Sequence, residues 1–152
     1  MQARMTQPAM LIPDAFKATM ALSKAAHVET LPEHIHELVH LRVSQINGCG
    51  VCVEMHGRLA KKAGATDQRL FSVAAWRDTP YFTDAERAAL DLAEVVTRLA
   101  DKGDAVPDAV WDEAARHFDE KALAGLLITI SAINVWNRLN AATRQVAGSL
   151  GV

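Results

Sequence analysis

The tightest constraint on this 152-residue chain is the stretch from Glu37 to His56, which carries its only two cysteines. Upstream of them Ile35, Leu38, Val39, Arg42, Val43 and Ile46 recur at helical spacing. Asn47-Gly48 then stops the helix, because glycine readily takes the left-handed backbone that ends one. Downstream, Val53, Arg58, Leu59 and Ala60 continue into a second helix that stops near Gly64. The pattern predicts a helical hairpin with Cys49 and Cys52 at the start of its second arm.

That position has chemical consequences. A helix N-terminus presents unpaired N–H groups and about half a positive charge, which favours thiolate over thiol. A free thiol titrates at about 8.5, and lowering that value by about two units makes thiolate the majority species at neutral pH. Residues i and i+3 of a helical turn also lie close enough for a disulfide. His56 follows Cys52 by one helical turn and Cys49 by two, so all three project from one face. The turn folds the first arm back, so that Glu37 and Ser44, two turns apart, are expected to face the same spot. Two thiols, an imidazole and a carboxylate in one half-buried site can move protons and make or break a disulfide.

Composition narrows the setting. Half of the residues are hydrophobic and only 5% aromatic, with alanine and leucine dominant, which favours an all-α fold. A chain of this length buries roughly 68–70% of its unfolded surface as one domain. The formal net charge of −2 gives no footprint for a nucleic-acid partner. The start lacks the apolar core and cleavage site of a signal peptide, and the uncharged run from Ala122 to Asn137 reads as too short and too polar to span a bilayer. The expectation is a cytoplasmic protein with no membrane contact. There a lone C-x-x-C points to redox chemistry or metal binding rather than to a structural staple.

Residues 1–12 read as a flexible tail and 13–152 as the single domain. A first helix is expected after Pro13, turning Phe16, Met20 and Leu22 toward the core. Thr30-Leu31-Pro32-Glu33 reads as a helix start with Thr30 as N-cap, launching the first arm. Thr66-Asp67 opens a short helix through Leu70, Val73 and Trp76, broken at Asp78-Thr79-Pro80. Thr83-Asp84-Ala85-Glu86 is a capping box for a helix to about Ala100, with Leu90, Ala93, Val96 and Thr97 inward. After the loop framed by Gly103 and Pro107, a helix spans Asp108 to His117. Asp119 caps a last helix to about Val146. That helix is apolar nearly all round from Leu123 to Trp136, which calls for cover on several sides, by its own chain and by another subunit.

Two other motifs compete for the same residues. His36-Glu37-Leu38-Val39-His40 matches the H-E-x-x-H zinc-protease pattern. The extended form fails, because Val43 stands where glycine is required, and the chain offers no convincing strand for a substrate. Surface or interface positions for His34, His36 and His40 are the simpler reading. Cys49, Cys52 and His56 supply three soft ligands for zinc, and a tetrahedral site needs Glu37 or His40 as the fourth. Two cysteines packed as small hydrophobes are the remaining reading, against which stand the helix-start position and the in-register His56.

The run Ser44-Gln45-Ile46-Asn47-Gly48-Cys49-x-x-Cys52-x-x-x-His56 resembles the AhpD-like branch of the carboxymuconolactone decarboxylase family. Glu86-Arg87-Ala88-Ala89-Leu90, Leu92-Ala93-Glu94 and Ile133-Asn134-Val135-Trp136-Asn137-Arg138 extend the likeness over roughly residues 11 to 147. The resemblance implies an all-α helical bundle around the C-x-x-C hairpin, an obligate homo-oligomer (commonly a trimer or hexamer), and alkyl hydroperoxidase chemistry. It further implies that Cys52 attacks the peroxide, Cys49 resolves it, and Glu37 and His56 relay protons. No bound cofactor or metal is implied; the partners are a hydroperoxide and an external dithiol donor, a lipoyl-protein or thioredoxin-like protein. Lactone decarboxylation is the alternative enzyme activity, and a non-catalytic redox-sensing oligomer the alternative from another class. One departure stands out. Gly50-Val51 lies where well-known members carry histidine, or an aromatic residue, directly before the second cysteine.

Overall fold

Helix α3 (Glu33–Ile46) is the axis about which the others are arranged, in a computed structural model that describes residues 1–100 and 102–149. The second arm, α4 (Gly50–Lys62), folds back against α3, and α6 (Asp84–Thr97) and α8 (Glu120–Ala142) pack on it as well. Before them come a single turn, α1 (Pro8–Leu11), and α2 (Pro13–Ala25), which lies on α8. A short α5 (Asp67–Ser72) runs into a 3₁₀ segment (Val73–Asp78), and α7 (Asp108–His117) packs on α6. Among the described residues no strand forms.

The packing follows from spacing. Ile35, Val39 and Val43 recur every four residues along one side of α3 and meet Leu92 and Ala93 of α6 and Leu126, Ile130 and Ile133 of α8. Each such side chain contributes about 1.5–3 kcal/mol when taken fully out of water. Leu38 and Leu41, on another side of α3, pack with Val73, Trp76, Phe82 and Leu90. Gly125 lets α8 approach the loop after α2. A Cβ there would lie 2.7 Å from Val28 Cγ2 and 2.9 Å from the Ala26 carbonyl oxygen. At the centre of the α3–α6 contact, Glu94 accepts from Arg42 Nε at 2.7 Å, Trp76 Nε1 at 2.9 Å and Arg77 Nη1 at 2.9 Å. Burial raises the affinity of this carboxyl for a proton, but the Trp76, Arg77 and Arg42 donors outweigh it and hold the value at about 2.

Three helix starts behave as their sequences predict, the first being α5, where the Thr66 hydroxyl accepts from the Arg69 amide at 3.3 Å. Thr83 accepts from the Glu86 amide while Glu86 reaches back to the Thr83 amide, and Asp119 caps α8 through the Ala122 amide. Elsewhere the structure corrects the reading. Thr30 is not an N-cap: α3 begins at Glu33 behind Pro32, and the Thr30 hydroxyl donates instead to Asp119 Oδ1 at 3.3 Å. On α2, Phe16 is half-buried, edge-on to Trp136 with ring centroids 5.9 Å apart, whereas Met20 and Leu22 are exposed. Helix α6 ends at Thr97 rather than Ala100 and α8 at Ala142 rather than Val146. Residues 1–12, read as a tail, contain α1, and Arg4 N donates to the Thr143 carbonyl at 2.9 Å.

The apolar helix α8 is also covered differently from expectation. Its own subunit buries most of it, leaving Val135 as its large exposed hydrophobe. Exposed apolar side chains collect instead at the start of the chain, on Met5, Met10, Leu11, Ile12, Met20 and Leu22. With 23 residues and a mean hydropathy of 1.3 over its most apolar window, α8 is long and apolar enough to cross a membrane, contrary to the reading of the shorter uncharged run. Burial of 56% of that window, and the buried asparagines along it, mark α8 as a core helix.

Candidate active site

Local backbone chemistry places the cysteines. At the end of α3 the Cys49 amide donates to the Ser44 carbonyl at 3.0 Å and the Gly48 amide to the Gln45 carbonyl at 3.3 Å. This is a Schellman cap, and Gly48 takes the left-handed conformation it requires, with φ of +65°. Cys49 is then the N-cap of α4, its carbonyl accepting from the Val53 amide, and Cys52 lies in the first turn, where the unpaired amides gather. The two sulfurs form a disulfide with Cα atoms 5.3 Å apart. Both cysteines are buried, at 1% and 0% exposure, while the flanking Gly48 and Gly50 are exposed.

One turn along α4, His56 is buried and its Nδ1 lies 2.9 Å from Glu37 Oε2. The other Glu37 oxygen is 3.7 Å from His40 Nδ1, so one carboxylate stands between two imidazoles whose centroids are 4.5 Å apart. Burial alone would raise the Glu37 value; the hydrogen bonds and charges of His40 and His56 reverse this and hold it at about 2. Burial keeps His40 neutral by lowering its value, helped by the nearby His56 charge and opposed by Glu37. The site thus holds an ionised carboxylate, two imidazoles and a disulfide within one hairpin.

Three asparagines of α8 complete the surroundings. Asn47 Nδ2 donates to Asn134 Oδ1 at 2.9 Å and Asn137 Oδ1 at 3.0 Å, and Asn137 Nδ2 donates to Ser44 Oγ at 3.1 Å. Asn140 Nδ2 donates to Cys52 Sγ at 3.4 Å. Ser44, expected beside Glu37, is therefore engaged in fastening the hairpin to α8. The sequence reading missed this role of Asn134, Asn137 and Asn140. Their signal was an asparagine every three residues in an otherwise apolar helix, a residue type that helix interiors disfavour unless it is bonded.

The H-E-x-x-H histidines do not converge. His36 donates from Nδ1 to Thr129 Oγ1 at 2.8 Å, since that hydroxyl is itself donating to the Gly125 carbonyl. Its ring stacks on His27, with centroids 4.1 Å apart, and lies 6.4 Å from that of His40. Burial, then the His27 and His40 charges, lower its value to about 4. Among the described residues, ligand-capable atoms gather in two separate groups, His27 with Glu33 and His36, and Glu37 with His40 and His56, each within 4.8 Å. Neither group contains both motif histidines, and with both sulfurs in the disulfide the Cys49–Cys52–His56 set has no free thiolate to offer a metal. Glu37 also lines one of two cavities near the hairpin. One of about 270 Å³ has His34, Leu41, Arg69 and Val73 among its walls; the other, of about 370 Å³, reaches His40, His56 and Asn140.

Similarity to known proteins agrees with this architecture. The chain is 34% identical over 139 residues to the uncharacterized protein YdfG of Bacillus subtilis (strain 168), covering 91% of this chain and 93% of that one. The crystal structure of ATU0492 from Agrobacterium tumefaciens, a protein of unknown function named as a candidate antioxidant defence protein AhpD, superposes with a TM-score of 0.89 at 33% identity. The match covers 98% of this chain and all of that one. The debrominase Bmp8 shares the fold, with a TM-score of 0.75 at 22% identity over 90% of this chain and 73% of its own. The carboxymuconolactone decarboxylase family model matches residues 13–95. By that match and by its full-length likeness to YdfG and ATU0492, this chain belongs to the carboxymuconolactone decarboxylase family, in its AhpD-like group.

Proposed function

We propose that the protein is a thiol-dependent hydroperoxide reductase. The observation that carries this reading is the Cys49–Cys52 disulfide at the head of α4, with the His56–Glu37 pair one turn behind it. In the reduced form Cys52 is the nucleophile: the first turn of α4 and the Asn140 amide both favour its thiolate. The thiolate attacks the terminal oxygen of the hydroperoxide, the O–O bond breaks, and the sulfur becomes a sulfenic acid. The departing alkoxide takes a proton from His56, whose ring Glu37 holds in place through Nδ1, and leaves as the alcohol. Cys49 then condenses with the sulfenic acid, forming the disulfide and releasing water.

An external dithiol closes the cycle. Cys49 is flanked by exposed Gly48 and Gly50, and no atom beyond their chain neighbours lies within 4 Å of where their Cβ atoms would be. That opening favours attack on the Cys49 sulfur, expelling Cys52 as thiolate; the donor's second thiol then frees Cys49 and leaves the donor oxidised. A lipoyl-protein or a thioredoxin-like protein has the required chemistry. The small group at Gly50-Val51, in place of histidine or an aromatic, widens this approach.

The test is peroxide consumption by the purified protein with a dithiol such as dihydrolipoamide. Cys52→Ser should abolish consumption and trap no sulfenic acid. Cys49→Ser should consume one equivalent of peroxide, accumulate a sulfenic acid on Cys52 and fail to turn over. Sulfenic acid appearing only in Cys52→Ser would make Cys49 the nucleophile. A stoichiometric disulfide without turnover in the wild type would make the protein a sensor.

A further inference from the structure

His27, Glu33 and His36 gather where the chain leaves α2 and enters α3, and no step of the proposed cycle uses them. Their ligand-capable atoms lie within 4.8 Å of one another. Glu33 and His36 are three residues apart on α3, and so are neighbours on one side of that helix. His27 comes from the loop after α2, where its amide donates to the Lys24 carbonyl at 3.2 Å and the Val28 amide to the Ala26 carbonyl at 3.0 Å. Gly125 of α8 closes on the same loop, so the backbone under His27 is held while its side chain is open to solvent.

A second observation concerns His36. Buried side-chain polar atoms almost always have partners. His36 is wholly buried, at 0% exposure, and its Nε2 has no partner. The other ring nitrogen is committed, because Nδ1 donates to Thr129 Oγ1, a hydroxyl that itself donates to the Gly125 carbonyl. That bond fixes the tautomer and leaves Nε2 as a bare lone pair. An imidazole held in this way by its second nitrogen is one prepared to ligate a metal. With a second imidazole and a carboxylate beside it, the donor set suits a divalent ion of borderline softness rather than calcium or magnesium.

We propose that His27, Glu33 and His36 bind one divalent transition-metal ion of the zinc class, His36 through Nε2, with water completing the shell. The inference is independent of the peroxidase reading. It is also distinct from a zinc-protease centre, because one histidine of H-E-x-x-H takes part and the carboxylate, Glu33, lies outside that motif. Tetrahedral zinc holds its nitrogen and oxygen ligands about 3.3 Å apart, so the cluster has to draw in. His36 is fixed by its surroundings, and the movement falls on His27 and Glu33, whose side chains are 39% and 64% exposed. The His27 ring, stacked on His36 with planes 16° apart, must turn out of the stack to bring a nitrogen toward the same point. Glu33 already bonds His27 Nδ1 at 2.9 Å, and it exchanges that proton for the ion. The bound ion then ties the loop after α2 to the first turn of α3.

The experiment uses untagged protein in the disulfide form, stripped with a chelator and titrated with Zn²⁺ by calorimetry. Wild type should bind one ion per subunit saturably, and added Zn²⁺ should raise its melting temperature. His27→Ala and Glu33→Gln change exposed side chains and leave the core intact, which circular dichroism checks. Each should weaken Zn²⁺ binding at least tenfold and abolish the rise in melting temperature. His117→Ala, which removes the exposed imidazole paired with Glu113 on α7, should bind as wild type does. Absence of saturable binding by wild type, or equal binding by wild type and His27→Ala, would overturn the assignment. Binding lost in His56→Ala and kept in His27→Ala would place the ion at Glu37, His40 and His56 instead, and would overturn it as well.

Discussion

Glu37→Gln keeps the size of the side chain and one acceptor oxygen but removes the charge that His56 and His40 share. The carboxyl titrates at about 2 in the folded protein against an ordinary 4.5, although burial works in the opposite direction. A difference of about two and a half units at 1.36 kcal/mol per unit makes the ionised form worth about 3 kcal/mol to the fold at neutral pH. The side chain is only 12% exposed, so solvent screening takes little from that figure. With a denaturant slope of about 2 kcal/mol per molar, Glu37→Gln in its disulfide form should show a urea midpoint lower by about 1–2 M at pH 7. The sign of the pH dependence is fixed. A depressed carboxyl contributes its full stability above its unfolded value, and that contribution is lost as pH falls toward the folded one. The gap between wild type and variant should therefore be constant above about pH 5 and close between pH 4.5 and 2. In the peroxide assay the variant should retain both thiols and turn over about 10²-fold more slowly, with His56→Ala slower still. Parallel stability curves from pH 7 to pH 2, together with wild-type turnover, would refute the argument that the two imidazoles hold an ionised carboxylate with a role in proton transfer.

Two further outcomes follow from the packing. Glu94→Gln leaves Arg42, whose side chain is 12% exposed, without its buried counter-charge, and should cost about 3 kcal/mol, or roughly 10 °C in melting temperature by calorimetry; an unshifted transition would show that the Arg42–Glu94 contact is replaceable by water. The exposed Leu11, Ile12 and Leu22 at the start of the chain, with Val135 of α8, are too apolar a set to stay wetted, so sedimentation at micromolar concentration should give a homo-oligomer, a trimer or hexamer, rather than a monomer.

What could be read from the sequence was governed by local chemistry. Asn47-Gly48 ends α3 because a left-handed residue is needed there whatever surrounds it, and the same cap puts Cys49 and Cys52 at the head of α4. Thr83 with Glu86, and Asp119, satisfy amides within their own turn and need no distant partner. Thr30 shows where that reasoning ends. Its spacing to Glu33 fits a capping box, yet the amides of Val28 and Leu31 bond the Ala26 and Val28 carbonyls, which holds the chain in turns until Pro32. The hydroxyl is then free to reach Asp119, eighty-nine positions away, and no local pattern encodes that contact. Met20 and Leu22 misled for a related reason: an apolar stripe on a helix says that it seeks cover, not that its own subunit supplies it.

The asparagines of α8 carry the deeper lesson about this site. A buried asparagine costs free energy unless it is bonded, so three in one apolar helix announce partners without naming them. The structure names them: Asn134 and Asn137 grip Asn47, Asn137 grips Ser44, and Asn140 reaches the Cys52 sulfur. The first three contacts hold the turn on which the geometry of the disulfide depends, and the fourth touches the sulfur itself. A hairpin with so sharp a turn has few ways to resist fraying when its disulfide opens. The α8 clamp acts on Asn47 and Ser44, outside the disulfide loop, and so does not depend on the Cys49–Cys52 bond. For the proposed cycle this independence matters, because one Glu37–His56 relay can serve every turn only if their separation holds in both oxidation states of the cysteines.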